Sequence, residues 1–500
     1  KREGEGTVKT LLRGSVVITV PTTHEGTRAR MVKKRTSGVG SSKPPIRPTG
    51  YSRSGWHNRA MASLRLGRVP ATRLTRLVSI TLASALMTSS VAGPVAAQEG
   101  EPSTDGAALP QGFTQKMVNK VAEVIEEVHP VRGLAPVEGV SYRVIDQETF
   151  IEELKAMFRE EYPAEYIAAE DELYTRLGLI EPDQDLEKLI LKIYDQQVLA
   201  FYDPLTKTFS LIGPIDKIGA MESIVVAHEY GHALQDETYD LEGERIKDLD
   251  RSDAILAQQA LIEGDATAVM YDWAARELNL VQLLGISAQA MSQQDSRRLG
   301  RIPEILRRQL EFPYIDGYAF VNAIRGRGDW EAVDEAWEAQ PVSTEQILHP
   351  ELYPDELPVE IELPDVAAAL GPEWTASYEQ TLGEMQIGVW VADGQKRFSL
   401  FPVLPGQLPN AEAAAGWGGD RLVSLDGPDG AWAVVWQTEW DSEQDQKEFR
   451  KAARAAMKDL PGAHTANDTD AVGGLSSPVL VLVADSKATL NTLRRALGLI

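Results

Sequence analysis

Two histidines four positions apart mark the part of the chain that is equipped for chemistry. His228 and His232 flank Glu229 in the pattern H-E-x-x-H, and apolar residues stand on both sides of it. On an α-helix, residues four positions apart lie one above the other, so both imidazoles can aim a ring nitrogen at one metal ion. Glu229 stands beside that ion, where its carboxylate can take a proton from water. The pattern predicts metal-assisted hydrolysis, with zinc as the metal.

A catalytic zinc site needs a third protein ligand, and a helix predicted from about Asp253 to Glu277 supplies one. Glu263 is the only carboxylate on a helical face that is otherwise mostly small or apolar. By spacings of three and four residues, that face consists of Leu256, Ala260, Glu263, Thr267 and Met270. Burying an unpaired carboxylate is costly, and a metal ion would remove the cost. We therefore predict that His228, His232 and Glu263 bind one Zn²⁺ per chain.

Three residues close to Glu263 are expected to support it. Asp265 is expected to orient one of the two histidines through the second ring nitrogen, and it is the alternative metal ligand if the phase of the helix differs. Thr267, one turn past Glu263, is another candidate for orienting a ligand. Gly264 weakens a helix by about 1 kcal/mol relative to Ala. A glycine there is expected where two backbones, or a backbone and a metal, come close.

The motif helix and the helix after it resemble the gluzincin branch of the zinc metallopeptidases. The resemblance depends on H-E-x-x-H at His228–His232 and E-G-D-A at Glu263–Ala266, and it covers roughly residues 195–275. The sequence also resembles small exported bacterial and archaeal proteins whose helix reads A-H-E-[YF]-x-H-A-L-Q-D, here Ala227–Asp236. The resemblance implies a zincin-like, mostly helical catalytic domain with a small sheet, in which two histidines and the downstream glutamate hold zinc.

Other hydrolase patterns fit less well. Metzincins need H-E-x-x-H-x-x-G-x-x-H, but Gln235 and Thr238 stand where the glycine and the third histidine would be, which excludes that branch. Thermolysin-like enzymes place an Asp four residues after the glutamate ligand, where this chain has Thr267. The resemblance therefore leaves open which groups orient the ligands. A serine hydrolase is not indicated, because the sequence contains no G-x-S-x-G.

The resemblance implies peptide-bond hydrolysis with Glu229 as the general base. Zinc would lower the pKa of its bound water towards about 7 and polarise the scissile carbonyl. A hydrogen-bond donor is then needed for the oxyanion. Tyr314, at a predicted turn-to-helix junction, and His349, in a dense polar segment, are the two candidates. The alternatives are a core position for Tyr314 and a helix-end cap for His349.

The composition limits the kinds of site that the chain can build. The 500 residues include no Cys, which excludes disulfides, thiolate metal ligands and a cysteine nucleophile. The net charge is -24, although residues 1–97 contain 17 Lys or Arg and only 3 Asp or Glu. The rest of the chain is therefore more acidic still, which argues against nucleic-acid binding. A well-solvated acidic surface is the preferred interpretation.

The first hundred residues are expected to direct export rather than to fold. Residues 1–60 are basic, lack apolar periodicity and are interpreted as a disordered or non-native upstream segment. Met61–Ala97 combines arginines, an apolar stretch and small residues, the pattern of a secretory signal peptide, with an uncleaved anchor as the alternative. The apolar run is short for a membrane span, and no second run follows. We expect a secreted or extracytoplasmic protein with no stable membrane span.

The remainder is predicted to contain a linker and two folded parts. Residues 98–112 are rich in Pro, Gly and acidic residues, 113–355 are expected to form the zincin-like domain, and 356–500 a smaller α+β domain. A hairpin of Gln197–Tyr202 and Thr208–Ile212 is predicted directly before the motif helix. A hairpin edge can pair with an extended peptide, so a peptide or protein substrate is expected.

The last part of the chain is predicted to be a small sandwich without catalytic residues. Its lone His464 is expected in a solvated loop. In order, the expected elements are a helix at Trp374–Val391, strands at Arg421–Leu425 and Ala431–Trp436, a helix at Ser442–Met457, a strand at Ser477–Val483 and a helix at Lys487–Leu497.

The sequence as a whole therefore predicts an α+β protein that acts as an exported zinc-dependent peptidase. The alternative is a catalytically silent zinc-binding surface or interaction protein on the same scaffold. A silent relative would usually have lost a ligand or the base, whereas His228, Glu229, His232 and Glu263 are all present. Backbone pairing gives weak side-chain selectivity, so neither a cleavage preference nor an oligomeric state is predicted.

Overall fold

The computed structural model describes most of the chain after residue 108. The described residues are 80–81, 109–241, 248–293, 302–393, 413–458, 460, 462–468 and 477–500. The chain divides into Lys1–Ser63 and Leu64–Ile500, and every described residue belongs to the second unit. The predicted upstream segment 1–60, the linker residues 98–108 and all of the predicted signal peptide except Ile80–Thr81 lie outside the described residues.

Four helices precede the motif, and three of them begin with a side-chain cap. At three of them an Asp or Thr side chain accepts a backbone N–H of the first turn: Thr114, Asp146 and Asp185. The first helix ends at Gly133, which adopts the left-handed conformation (φ 82°) that favours glycine. Helices α1 to α4 span Gln115–Arg132, Gln147–Glu161, Ala164–Arg176 and Leu186–Gln197.

The predicted hairpin before the motif helix is present and belongs to a small mixed sheet. Strands β3 (Ala200–Asp203) and β4 (Thr208–Ile212) pair antiparallel, and β2 (Ser141–Ile145) pairs parallel to β4. A two-residue strand, β1 (Ile80–Thr81), pairs antiparallel to β3, which gives the order β1-β3-β4-β2. Both strands of the hairpin are therefore paired on their outer sides, β3 with β1 and β4 with β2, so the expectation that a hairpin edge is free to pair with a substrate is wrong.

Both faces of strand β3 are buried. Because side chains alternate along a strand, Ala200 and Tyr202 join the hydrophobic cluster that contains Val225 and Val226 of the motif helix. Phe201 joins the larger cluster on the other face of the sheet. The sheet is thereby held against the helix that carries H-E-x-x-H.

Helices α5 to α8 surround the motif. Helix α5 (Ala220–Tyr239) contains it, and α6 (Ser252–Glu277) contains Glu263, as predicted. Helix α7 spans Leu280–Gln293, and α8 spans Glu304–Glu338 with an interruption where Gly328 and Asp329 leave helical backbone angles. The first part of α8 runs along α6 in the same direction, since Gly317 contacts the region of Ala260 and Arg325 pairs with Asp272.

Two glycines allow α6 and α8 to come into backbone contact. A β-carbon on Gly264 would lie closer than 3.0 Å to the backbone of Gly317 and Tyr318, and one on Gly317 would lie equally close to the backbone of Ala260. Real Cβ atoms essentially never come so near. The predicted close approach at Gly264 is confirmed, and a helix backbone is what comes close.

The C-terminal part is an antiparallel sheet covered by helices. Its strand order is β5-β6-β7-β9-β8, and its central strands are buried and rich in Val, Leu and Trp. The strands are β5 (Thr375–Gln380), β6 (Trp417–Asp426), β7 (Trp432–Trp440), β8 (His464–Asp468) and β9 (Val479–Ala484). The helices are α9 (Thr344–Leu348), α10 (Val366–Leu370), α11 (Gly383–Asp393), α12 (Glu443–Lys458) and α13 (Lys487–Ala496).

Two predictions in this part are wrong. The helix predicted over Trp374–Val391 is a strand, β5, followed by the shorter helix α11, because Gly383 takes a positive φ of 74° that a continuous helix does not allow. His464, expected in a solvated loop, is exposed as predicted, but it begins edge strand β8, where it pairs with Ala484.

The fold is α+β, as predicted. A large hydrophobic cluster runs without a break from residues of the first helices, such as Leu154, to strands of the C-terminal sheet, such as Val481. The division at 355/356 stays a prediction. Among the described residues, none of the helices has the length and apolar character that a membrane crossing requires.

Candidate metal centre

The motif helix is buried along most of its length. Every residue from Ser223 to Asp236 in α5 is buried, which matches its apolar composition around the motif. His228 is 2% exposed, and His232 and Glu229 are 0% exposed. Three ionisable side chains on a buried, largely apolar helix are unusual, since each must be paired or must bind a metal.

Glu263 completes a triangle with the two histidines. Its Oε2 lies 3.2 Å from Nε2 of His228 and 3.3 Å from Nε2 of His232. The two Nε2 atoms lie 3.1 Å apart. Glu263 is 2% exposed, so all three ligand atoms converge in a place shielded from water.

The size of this triangle fits a tetrahedral metal ion. Zn–N and Zn–O bonds of about 2.0–2.1 Å with tetrahedral angles place neighbouring ligand atoms roughly 3.3 Å apart. The observed distances of 3.1, 3.2 and 3.3 Å have that spacing. His228, His232 and Glu263 can therefore hold a metal ion, and they are the predicted ligands.

Gln235 fixes the ring orientation of His232. Its side-chain Oε1 lies 2.9 Å from Nδ1 of His232, and its Nε2 donates to the carbonyl oxygen of Ile262 at 3.0 Å. Because the amide nitrogen is engaged by a carbonyl, the amide oxygen is the atom that faces the ring, and it accepts from Nδ1–H. This leaves the lone pair of Nε2 directed at the metal position.

In the sequence, Gln235 stands out only as a departure from the metzincin pattern. Its spacing of three residues from His232 places both on one helical face, and that spacing was the available signal. The sequence alone does not indicate that the carbonyl of Ile262 on α6 accepts from the Gln235 amide. This hydrogen bond sets the orientation of the amide group.

The charges of the three ligands are coupled. Burial lowers the pKa of His228. Burial also acts to lower the pKa of His232, but the charges of Glu263 and Glu229, together with the hydrogen bonds to Glu263 and Gln235, outweigh it and the pKa is raised. Burial acts to raise the pKa of Glu263, but the charges of the two histidines and the hydrogen bonds to them together outweigh it and the pKa is lowered. A proton on His232 therefore competes with a metal ion for the same triangle.

Asp265 does not orient a histidine, so that prediction is corrected. Its carboxylate accepts from Nε of Arg132 at 2.9 Å and from Nε1 of Trp337 at 2.8 Å. Two residues along a helix correspond to a rotation of about 200°, so Asp265 points away from the face that carries Glu263. The same geometry leaves Glu263, not Asp265, as the metal ligand.

The Arg132–Asp265 pair is the centre of a network that joins four helices. Arg132 also contacts Asp334 at 2.7 Å and Tyr239 at 3.2 Å, and its guanidinium lies over the ring of Trp330, 4.5 Å from the centroid. The members come from α1, α5, α6 and α8. The network therefore fixes the rotation of α6, and with it the direction in which the ligand carboxylate points.

Thr267 has no visible role towards the ligands. It is 5% exposed, and its Oγ1 has no hydrogen-bond partner among the described residues. The predicted orienting function of Thr267 is not supported by a contact to either histidine.

Tyr314 lies beside the metal centre. Its ring stacks near His228, with ring centroids 6.1 Å apart and an angle of 30° between the planes. It is half-buried on α8, which packs against α6. Of the two predicted oxyanion donors, Tyr314 is the one positioned next to a metal ligand.

His349 belongs to another part of the molecule, which corrects its assignment to the site. Its Nε2 lies 3.0 Å from Oε1 of Glu384, and this hydrogen bond raises the pKa of His349. Glu384 follows Gly383, which packs against Asp253 in the first turn of α6. Glu263 stands ten residues further along that helix, a rise of about 15 Å.

A comparison with known protein families gives a match in the C-terminal part of the chain. A family model described as a domain of unknown function (DUF8575) matches residues 373–489, which run from β5 into α13. This segment is similar to that family, and the metal centre lies outside it. Neither the curated proteins nor the solved structures give a match to the chain.

Proposed function

We propose that this chain is a zinc-dependent peptidase whose metal ligands are His228, His232 and Glu263. The proposal rests on one observation: three ligand atoms with tetrahedral spacing converge in a buried site, and a fourth ionisable side chain, Glu229, follows the first ligand on the same helix. Metal-assisted hydrolysis needs both features, the ligand set and an adjacent base. A purely structural histidine pair needs neither.

Zinc is the metal that the donor set favours. Two imidazole nitrogens and one carboxylate oxygen form a common catalytic zinc ligand set, which keeps a fourth position for water or substrate. The chain has no Cys, which removes the thiolate ligands that copper(I) and iron–sulfur centres use. The order of a motif helix followed by a helix with the glutamate ligand also supports a zincin-like assignment of residues 113–355.

The chain's own groups account for the proton transfers of peptide hydrolysis. Bound zinc supplies a lowered water pKa and polarises a carbonyl. Glu229, shielded from bulk solvent on α5, accepts the proton of the attacking water and delivers it to the nitrogen of the leaving amine. The hydroxyl of Tyr314 is the donor proposed for the oxyanion, because its ring lies beside His228.

Export is part of the proposal. It rests on the sequence of Met61–Ala97, which has the arginines, the apolar stretch and the small residues of a secretory signal peptide. Expression of the chain in a secreting bacterial host, followed by N-terminal sequencing of the secreted protein, tests it. Cleavage after Ala97 is expected, and a product retained in the cytoplasm would contradict export.

Hydrolysis of labelled casein by the purified chain tests the function. Glu229→Gln keeps the size of the side chain and removes the base, so we expect zinc to be retained and the rate to fall by about 10² to 10⁴. Glu237→Gln on the same helix is the control, because Glu237 forms an exposed ion pair with Lys207. Full activity in Glu229→Gln would refute the mechanism. Bound zinc without hydrolysis in the wild type would leave the silent zinc-binding scaffold instead.

A further inference from the structure

A cavity of about 190 Å³ opens along the same face of α6 that carries the metal ligand. Helices α3, α4, α6 and α8 supply most of its walls. Within the part of the chain that the structure describes, most of the side chains that line it are apolar or aromatic. Those on α6 are Ser252, Ile255, Leu256 and Gln259. The cavity is therefore mostly apolar and has a small number of polar groups, which is the composition of a pocket that binds a side chain.

Along α6, the cavity lining ends one helical turn before the metal ligand Glu263. Gln259 and Glu263 are four residues apart, so Glu263 lies on the same helical face about 6 Å beyond the cavity lining. On α8, Leu310 lines the cavity and Tyr314, next to His228, follows one turn later. Both helices thus lead from the cavity to the site in which a scissile bond would lie.

The far end of the cavity is polar. Tyr378 donates to Oε1 of Glu170 at 3.1 Å, and Gln309 donates to the hydroxyl of Tyr174 at 2.9 Å and to Gln386 at 3.1 Å. Gln386 in turn donates to Ser252 at 3.3 Å. This places the hydrogen-bonded groups near the first turn of α6, opposite the end that faces the metal.

Among the described residues, Glu170 is the only charged side chain that lines the cavity. Its hydrogen-bond partners among the described residues are tyrosines. No Lys, Arg or His among those residues contributes to the shift of its pKa. Loss of hydration raises the pKa of Glu170 to about 7. A cation that entered the cavity would hold this carboxylate in its charged form.

We propose that this cavity binds a basic side chain, Lys or Arg, of a peptide substrate, with Glu170 as the residue that recognises the cationic group. The proposal rests on the peptidase function and adds a selectivity to it. An extended peptide rises about 3.3 Å per residue. A basic residue one or two positions from the bond at the metal therefore reaches the part of the cavity lined by Gln259, one helical turn before Glu263.

The chemistry of the walls selects against other occupants. The stem of Lys or Arg is apolar and suits the aromatic and aliphatic walls, and its head carries the donors that a carboxylate and glutamine oxygens accept. A fully apolar side chain would leave Glu170 without a counter-charge. An acidic side chain would face a like charge.

Cleavage of a mixed peptide library, with products identified by mass spectrometry, tests the selectivity. We expect Lys and Arg to be enriched within two residues of the cleaved bonds, and Glu170→Gln to reduce the kcat/KM ratio of a lysine peptide to its norleucine analogue by about 10- to 100-fold. Glu165→Gln, an exposed position on the same helix, is the matched control. Cleavage without basic enrichment, or an unchanged ratio in Glu170→Gln, would overturn the proposal.

A binding measurement separates this proposal from the peptidase function. Calorimetric titration of the full chain with Nα-acetyl-lysine amide should give binding that Nα-acetyl-norleucine amide lacks and that Glu170→Gln removes. If the library is not cleaved but the lysine probe binds through Glu170, the peptidase proposal fails and the recognition of a basic group stands. If neither probe binds, or both bind equally, the recognition of a basic group is refuted.

Discussion

Arg132 and Asp265 form an ion pair that is almost completely shielded from water. Arg132 Nε lies 2.9 Å from Asp265 Oδ1, and the two residues are 2% and 0% exposed. The pair joins the end of α1 to α6 only two residues after the ligand Glu263. A buried pair of this kind is costly to form but even more costly to break, because the remaining partner is left charged and buried.

Removal of one partner of this pair should destabilise the protein strongly. We expect Asp265→Asn to lower the free energy of unfolding by about 3 to 5 kcal/mol, because the guanidinium of Arg132 loses its buried counter-charge. Urea denaturation of the variant measures the loss. Glu237→Gln, which breaks an exposed pair with Lys207, should cost at most about 1 kcal/mol. Equal effects in the two variants would contradict the role assigned to the network.

The glycine at the crossing of α6 and α8 should not tolerate a methyl group. Gly264→Ala places a β-carbon against the backbone of Gly317, so the helices must separate. We expect a loss of about 1 to 3 kcal/mol in the free energy of unfolding, together with weaker metal binding. In helix α7, Gly285 faces open space, and Gly285→Ala should stabilise the protein by up to about 1 kcal/mol. Thermal unfolding of both variants distinguishes steric contact from helix propensity.

The Gln235 side chain should control metal affinity without being a ligand. Since its Oε1 lies 2.9 Å from Nδ1 of His232, Gln235→Ala should weaken zinc binding by about 10- to 100-fold. Competition with a chromophoric chelator measures the affinity. Gln282→Ala, an exposed glutamine on α7, should leave the affinity unchanged. An unaltered affinity in Gln235→Ala would mean that the ring is held in place by other groups.

A buried glutamate should make the stability fall as the pH rises. Burial, with the nearby charge of Glu384, raises the pKa of Glu345 to about 9. The folded state therefore binds more protons than the unfolded state between the ordinary pKa of 4.5 and about 9, and the free energy of unfolding decreases through that window. Glu345→Gln should flatten the decrease and should be the more stable protein at pH 8. Identical pH profiles would contradict the burial of a protonated carboxyl group.

The metal ligands were predictable because their signals are local. His228 and His232 are four residues apart on one helix, and Glu263 is the only carboxylate on its helical face, so spacing and burial cost sufficed. Gly264 was predictable for the same reason, as a residue unfavourable to a helix that a close contact must justify. The strand at Thr375–Gln380 was missed because a helical period spans it, and only the positive φ of Gly383 breaks that period.

The groups around the ligands were not predictable, since their partners are distant in sequence. Asp265 pairs with Arg132, which stands 133 residues earlier, and no local pattern relates the two. His349 is a histidine in a polar segment, as a catalytic residue often is, but its hydrogen bond to Glu384 holds it away from the metal centre. The cavity next to α6 combines side chains from α3, α4, α6 and α8, and it becomes visible only when those helices are packed together.

The zinc content of the purified full-length chain tests the central claim most directly. Elemental analysis by mass spectrometry after extensive dialysis should give one zinc per chain for the wild type and for Glu229→Gln. It should give a value near zero for His232→Ala and Glu263→Ala, whose folding is checked by circular dichroism. A wild type without zinc, or a folded Glu263→Ala variant that keeps a full equivalent, would contradict the assignment of His228, His232 and Glu263 as the metal centre.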